Sequence, residues 1–210
     1  MKKVQINLSL LACVTALISI PTGCGNMNTN KNAEVKNMVW NVATYEVVPL
    51  DSITLEIPDA ETYNDVLPLR YSYTQDESAK VSDILLQNDS ILSTQGYSYQ
   101  WVNYGDPGKM DLVIIASTPL LEQDVKITEV NKLPKSGDIY QVAFRFNDRS
   151  LWEKITTANI GKRIAICVNG TVLSAPQVNS PITQGACSVT VPADKVPELL
   201  PNVDLSILEK

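Results

Sequence analysis

The sequence has 210 residues, 44% of them hydrophobic and 19% charged, with a formal net charge of −6. That is enough chain for one ordinary domain or two small ones with a real core, and its acidity argues against the basic footprint that nucleic-acid binding needs. There is no histidine, which excludes Ser-His-Asp and Cys-His catalysis, HExxH zinc sites and imidazole ligation, and leaves carboxylate, lysine or cysteine chemistry.

The first residues set an address. Lys2 and Lys3 precede the apolar run LSLLACVTALISI, which matches a signal-peptide core and is short for a membrane-spanning helix. The run meets Pro21-Thr22-Gly23-Cys24. Small residues before a Cys resemble a bacterial lipobox, with Pro21 standing where the motif usually carries an aliphatic residue. The reading is a lipoprotein signal over 1–24 with Cys24 as the lipid attachment site; the alternative is an ordinary signal cut nearby. Loss of Lys2 and Lys3, and of no acid, takes the net charge from −6 to −8. More than one acyl chain makes such an anchor durable. Residues 25–40 begin polar and Asn-rich and read as a tether between membrane and domain. The expected place is the cell envelope, lipid-anchored and facing the periplasm or the cell exterior.

That compartment permits disulfides. Of the four cysteines, Cys13 leaves with the signal and Cys24 is acylated, so Cys167 and Cys187 remain as a candidate pair. Both lie in strand-like runs. Spacing does not establish that their Cβ atoms meet, and two buried free thiols are the competing reading.

The mature chain then reads in order. NVATYEVVPLDSITLEIP, over 41–58, suggests one or two strands broken at Pro49. The next stretch, to Gln75, is ambiguous. Val81, Ile84, Leu85, Ile91 and Leu92 approximate one helical face within 76–96, and Gly96 is a C-terminal stop. YSYQWV is a strand, Asp106-Pro107-Gly108 a turn, and MDLVIIAS a short apolar strand covered on both faces. These elements make an α+β subdomain over 41–116.

A second subdomain spans 117–210. DVKITEV alternates, with Val125, Ile127 and Glu129 in phase and Lys126, Thr128 and Val130 opposite. Tyr140, Val142, Phe144 and Phe146 share one face of a half-buried strand. Ser150-x-x-Glu153 predicts a capping box for a helix that closes at Gly161. RIAICV-NG-TVLSAP is two strands joined by Asn169-Gly170, a strong hairpin signal because both residues tolerate positive φ. ACSVTV is a further strand, and Pro197 limits the last helix to a turn or two.

Residues 139–191 resemble the head subdomain of the first periplasmic region of SecD, a membrane component of the Sec export machinery. VAFRF, ITTANIGKRIAICVNG and VLSAPQVNSPITQGACSV stand in the family's order. Gly161, Lys162, Ala165, Ile166, Gly170, Ser174, Ala175, Pro176, Ile182, Thr183 and Gly185 occupy its motif places. Asn169 stands where the family usually carries Asp. Residues 97–116 more weakly resemble the strand–turn–strand that precedes the head. The Gly-Ala-Leu-Pro signature that leads into the membrane bundle is missing after the last strand. The resemblance therefore implies the head fold, and with it affinity for extended or unfolded polypeptide, but no proton-driven motor.

The expected fold is α+β: small antiparallel or mixed sheets with one or two packed helices, SecD-head-like with a ferredoxin-like flavour. The expected function is a non-enzymatic, membrane-tethered extracytoplasmic module with a polypeptide or envelope-protein partner and no cofactor, metal or nucleic acid. It would bind at an exposed sheet edge or an apolar cleft between subdomains. A structural or assembly lipoprotein of the envelope is the alternative. Scattered carboxylates select no catalytic pair. Tyr97, Tyr99, Trp101 and Tyr104 form the densest aromatic cluster and are the candidate contact surface, set against plain strand-face packing.

Overall fold

The computed structural model describes residues 38–62, 71–104, 108–133, 139–201 and 203. Cys24 and the signal segment lie outside the described residues. In chain order the elements are β1 (Val39–Val48), β2 (Glu61–Thr62), β3 (Tyr71–Thr74), α1 (Gln75–Gln87), α2 (Asp89–Thr94), β4 (Tyr97–Val102), β5 (Lys109–Ala116), β6 (Leu121–Lys132), β7 (Ile139–Arg145), α3 (Arg149–Ala158), β8 (Ile164–Val168), β9 (Thr171–Ser174), β10 (Ala186–Pro192) and α4 (Val196–Leu199). Among the described residues every pairing between named strands is antiparallel, which gives the α+β class with few helices.

β1 organises the whole. It pairs with β6 through Val39–Thr44, with β8 through Val42–Glu46, and with β5 through Val47 and Val48. All ten strands are joined in one sheet through β1. The portion β10-β7-β6-β1-β8-β9 forms the head sheet, and the portion β4, β5, β3 and β2, reached through the β1–β5 pairing, forms the second sheet. Side-chain alternation along β1 serves three cores. Trp40 and Val42 enter the head core, Ala43 enters a core between the two sheets, and Val48 enters the core under α1 and α2. The strand starts at Val39, inside the stretch read as tether, because Trp40 is 1% exposed and its indole N–H donates to the Leu199 carbonyl at 2.8 Å.

The head core stacks Tyr140, Val142 and Phe144 of β7, Phe146 just after it, and Val189 and Val191 of β10 against Trp152 and Ile155 of α3. β6 extends further than DVKITEV alone indicates, and its alternation breaks. A bulge between Ile127 and Glu129 takes up one residue, so Val130 turns into the core while Glu129 faces solvent. This corrects the phase that unbroken alternation assigns.

Two helix starts also depart from the sequence reading. α3 begins at Arg149, with the Asp148 carboxylate accepting from Leu151 N–H at 2.9 Å, so Ser150 is already inside the first turn. α1 begins with a capping box in which Thr74 and Glu77 satisfy each other's backbone N–H groups. The helical stretch splits at Asn88, whose side-chain amide caps the Ile84 carbonyl at 2.8 Å. Gly96 follows α2 at positive φ. Gly161 also has positive φ but lies past the α3 C-cap at Asn159, in a turn where Lys162 N–H donates to Asn159 O at 2.9 Å, so the expected closure of α3 at Gly161 is corrected to Asn159. Asn169 and Gly170 take φ of 49° and 85° in the hairpin.

The motif loop between β9 and β10 is tied to α3. Buried Thr156 accepts from Ile182 N–H at 2.9 Å, Gly161 N–H donates to Val178 O at 2.8 Å, and Val178 N–H donates to Lys162 O at 2.9 Å. Gly185 sits where the loop returns: its φ is +68°, its carbonyl accepts from Phe146 N–H at 2.8 Å, and a Cβ there would lie 2.6 Å from Phe146 O. Gly170 has no neighbour within 4 Å of such a Cβ. Gly170→Ala should therefore cost only the left-handed strain of about 1–2 kcal/mol. Gly185→Ala adds a backbone clash and should cost more, on the order of 2–4 kcal/mol. Urea denaturation of the two variants should show the larger loss at Gly185; equal losses would contradict the close approach.

Candidate functional site

Two surfaces compete as sites: the junction between the two sheets and the edges of the head sheet. The junction is sealed. Ala43, Val102, Val113, Ile115, Ala165, Cys167, Val172 and Ala175 fill it. Gln100 of β4 closes its rim. The carboxamide donates through Nε2 to Gly170 O at 3.0 Å and accepts from Val172 N–H at 2.7 Å. One side chain thus supplies the donor and acceptor that a neighbouring strand would offer to β9. The apolar cleft expected between subdomains is filled with core.

The aromatic cluster is divided between two layers. Tyr97, Tyr99 and Trp101 alternate onto the helix-facing side of β4 and pack, half-buried, beside the core of Tyr73, Val81, Leu85 and Leu92. Trp101 donates to Ser82 Oγ at 2.8 Å and meets the Tyr73 ring edge-to-face at 5.7 Å. Tyr104 packs on the other side, against the core between the sheets. The four therefore do not form one surface. Strand alternation explains the split, since successive odd positions share a face and Tyr104 lies beyond the strand end.

The edges of the head sheet differ in how they are protected. β9 is capped by Gln100. β6 is paired to β1 only as far as Lys126, with one further rung from Ile127 N–H to Met38 O at 3.2 Å. Its remaining stretch carries the bulge and exposed Glu129, both of which discourage an added strand. A shallow depression of about 320 Å³ adjoins it, lined by Val39, Asp124, Lys126, Thr128, Arg145 and Asn147. β10 carries neither bulge nor charge, and its only edge-blocking residue is Pro192 at its end. It pairs with β7 over seven residues in unbroken register, carries no charged side chain, and pairs with no other described strand. Ala186, Ser188 and Thr190 alternate with core-facing Val189 and Val191, and β9 comes alongside without pairing.

Cys167 and Cys187 are free thiols. Cys167 belongs to the core between the sheets, whereas Cys187 packs on the head core. The strands that carry them turn the two sulfurs to different cores, which corrects the candidate disulfide. Burial pushes both thiols up to about 12 from an ordinary 9.0. Cys187 is half-buried as a residue, but its thiol is desolvated. Burial likewise pushes the Tyr73 phenol up to about 12.

An antiparallel α+β module with a regular, uncharged edge strand is the class that this geometry defines. The family model described as SecDF, P1 head subdomain matches residues 100–195, from the middle of β4 to just before α4. That segment is similar to the SecDF P1 head subdomain, and its strands pair with β1, which precedes it in the chain. A curated relative, the protein translocase subunit SecD of Acidaminococcus fermentans, is 30% identical over 74 residues. The alignment covers 35% of this chain and 18% of that protein. Two solved SecDF structures are similar at 17% identity. One, described as a membrane component that enhances protein export, has a TM-score of 0.32 and is matched over 80% of this chain and 62% of its own. The other, SecDF in a super-membrane-facing form, has a TM-score of 0.37 over 80% of this chain and 18% of its own. No helix among the described residues is long and apolar enough to cross a membrane.

The thiols give a pH signature. Their folded pKa lies above the unfolded value, so the fold favours the neutral form. That contribution is fully present below pH 9 and is lost as pH rises from about 9 to about 12. Denaturation midpoints should be flat through neutral pH and fall in this window, and native labelling by a thiol reagent should be far slower than labelling in urea. Fast native labelling of either Cys would contradict the burial.

Proposed function

We propose that this chain is a non-enzymatic, membrane-tethered extracytoplasmic module that binds extended polypeptide in connection with protein export. The regular, uncharged edge of β10 carries the reading. An edge strand offers a row of backbone donors and acceptors to an extended chain, and its small uncharged outward side chains ask for little sequence. The family of residues 100–195 supports a role in export and an extracytoplasmic place. The lipobox-like Gly23-Cys24 supports the tether. An edge contact is small and ordering a flexible client costs free energy, so affinity is modest.

Lysine on an edge blocks strand addition without touching the core. Ser188→Lys with Thr190→Lys should weaken binding of reduced, unfolded clients at least several-fold, with the denaturation midpoint nearly unchanged. Folded clients should bind no better than background. Indifference of the wild-type chain to client folding would sink the reading and favour an assembly role, and turnover lost with one carboxylate would make it an enzyme.

The tether is tested separately. Cys24→Ser should abolish lipid labelling and move the protein from the membrane to the soluble fraction. Unchanged partitioning would mean that another segment holds it.

A further inference from the structure

We propose that Asn169 is a site of spontaneous deamidation, and that the hydrogen bonds holding its turn against β1 and β4 set the rate. Asn169-Gly170 is the one Asn-Gly pair in the sequence. Both residues are exposed. Gly170 has no side chain to obstruct attack by its own nitrogen, and nothing lies within 4 Å of the point where a Cβ would be. The nucleophile and the electrophile are therefore adjacent and unshielded.

The reaction needs only water. The Gly170 nitrogen bonds to Asn169 Cγ and gives up its proton, and the Cγ–Nδ2 bond breaks to release ammonia. The resulting succinimide is opened by water at one of its two carbonyls. Attack at the side-chain carbon leaves Asp; attack at the main-chain carbon leaves isoaspartate. Each product carries one more negative charge than Asn.

The folded turn opposes the first step. Asn169 is in the left-handed region at φ 49°. Its Oδ1 accepts from Asn41 N–H at 3.2 Å, and its own N–H donates to Asn41 O at 2.9 Å. Gly170 O accepts from Gln100 Nε2 at 3.0 Å. Swinging the carboxamide onto the Gly170 nitrogen breaks the side-chain bond to β1, and turning the Asn169–Gly170 peptide to meet it shifts Gly170 Cα and so strains the bond that the following carbonyl, Gly170 O, makes to β4. Ring closure thus waits for the β8–β9 turn to lift from the junction between the sheets, and conversion at Asn169 records that opening. The two products differ in consequence. Asp keeps an acceptor for Asn41 N–H in a turn of unchanged length. Isoaspartate adds a carbon to the main chain and disrupts the pairing of Val168 with Thr171 that closes the hairpin.

The test incubates the purified chain at neutral to mildly alkaline pH and follows intact mass and peptide maps. The wild-type chain is compared with Gln100→Ala and with Gln100→Glu, which keeps the length but loses the donor, and all three are repeated in urea. Conversion should localise to Asn169 as Asp and isoaspartate. In the folded state both variants should convert about two- to tenfold faster than wild type, the range that loss of one net hydrogen bond allows. In urea the three rates should be equal and faster than any folded rate. Folded variants that match the folded wild type would overturn control by the turn. Failure of Asn169 to convert even in urea would overturn the site itself.

Discussion

β1 is the constraint on which the rest depends. In ten residues it must satisfy partners on both of its edges and place side chains in three separate cores. An interior strand offers no slack, because a slip of one residue would turn Trp40 and Val42 out of the head core and polar Asn41 into it. The indole N–H of Trp40 on the Leu199 carbonyl extends this control to α4, which closes the head from the far end of the chain. The head and the preceding sheet are therefore mechanically one piece, although the family segment starts only at Gln100.

The sealed junction shifts attention from clefts to edges. Buried apolar side chains exclude water between the sheets, and the Gln100 carboxamide finishes the rim by satisfying a donor and an acceptor of β9. Bulge and charge blunt the free part of β6. What distinguishes β10 is the lack of bulge or charge along its regular residues as far as Pro192 at its end. An edge of this kind is a liability unless something is meant to pair with it. The motif residues serve this edge indirectly. Thr156, Gly161 and Gly185 fix the loop that delivers the chain from β9 into β10. Their place in the family pattern is accounted for by backbone geometry and loop anchoring.

Local chemistry made much of the molecule legible in advance. Asn169-Gly170 reads as a hairpin because few residue pairs accept two positive φ values, and Gly96 reads as a helix end for the same reason. The apolar face of IYQVAFRF reads as a core strand because the period of a strand is two. The lack of histidine narrows the chemistry without any structure at all. Other features depend on contacts distant in sequence. The bulge after Ile127 leaves no mark in DVKITEV and appears only when β7 is laid beside it. Thr74 and Asp148 as caps were hidden by competing helix formers and by Ser150, since a cap is decided by the backbone angle at one residue.

By itself, then, the sequence determined the turns, most strands and the motif order, because each depends on backbone preferences a few residues wide. It could not determine where side chains on either side of a turn would meet. Cys167 and Cys187 share a strand-like context yet face different cores, and four aromatic residues within eight positions divide between two layers. Gln100 reads as an ordinary polar strand residue until β9 arrives against it from seventy residues further along. Such facts are set by which sheet faces which, and that is decided by the burial of all three cores at once through β1.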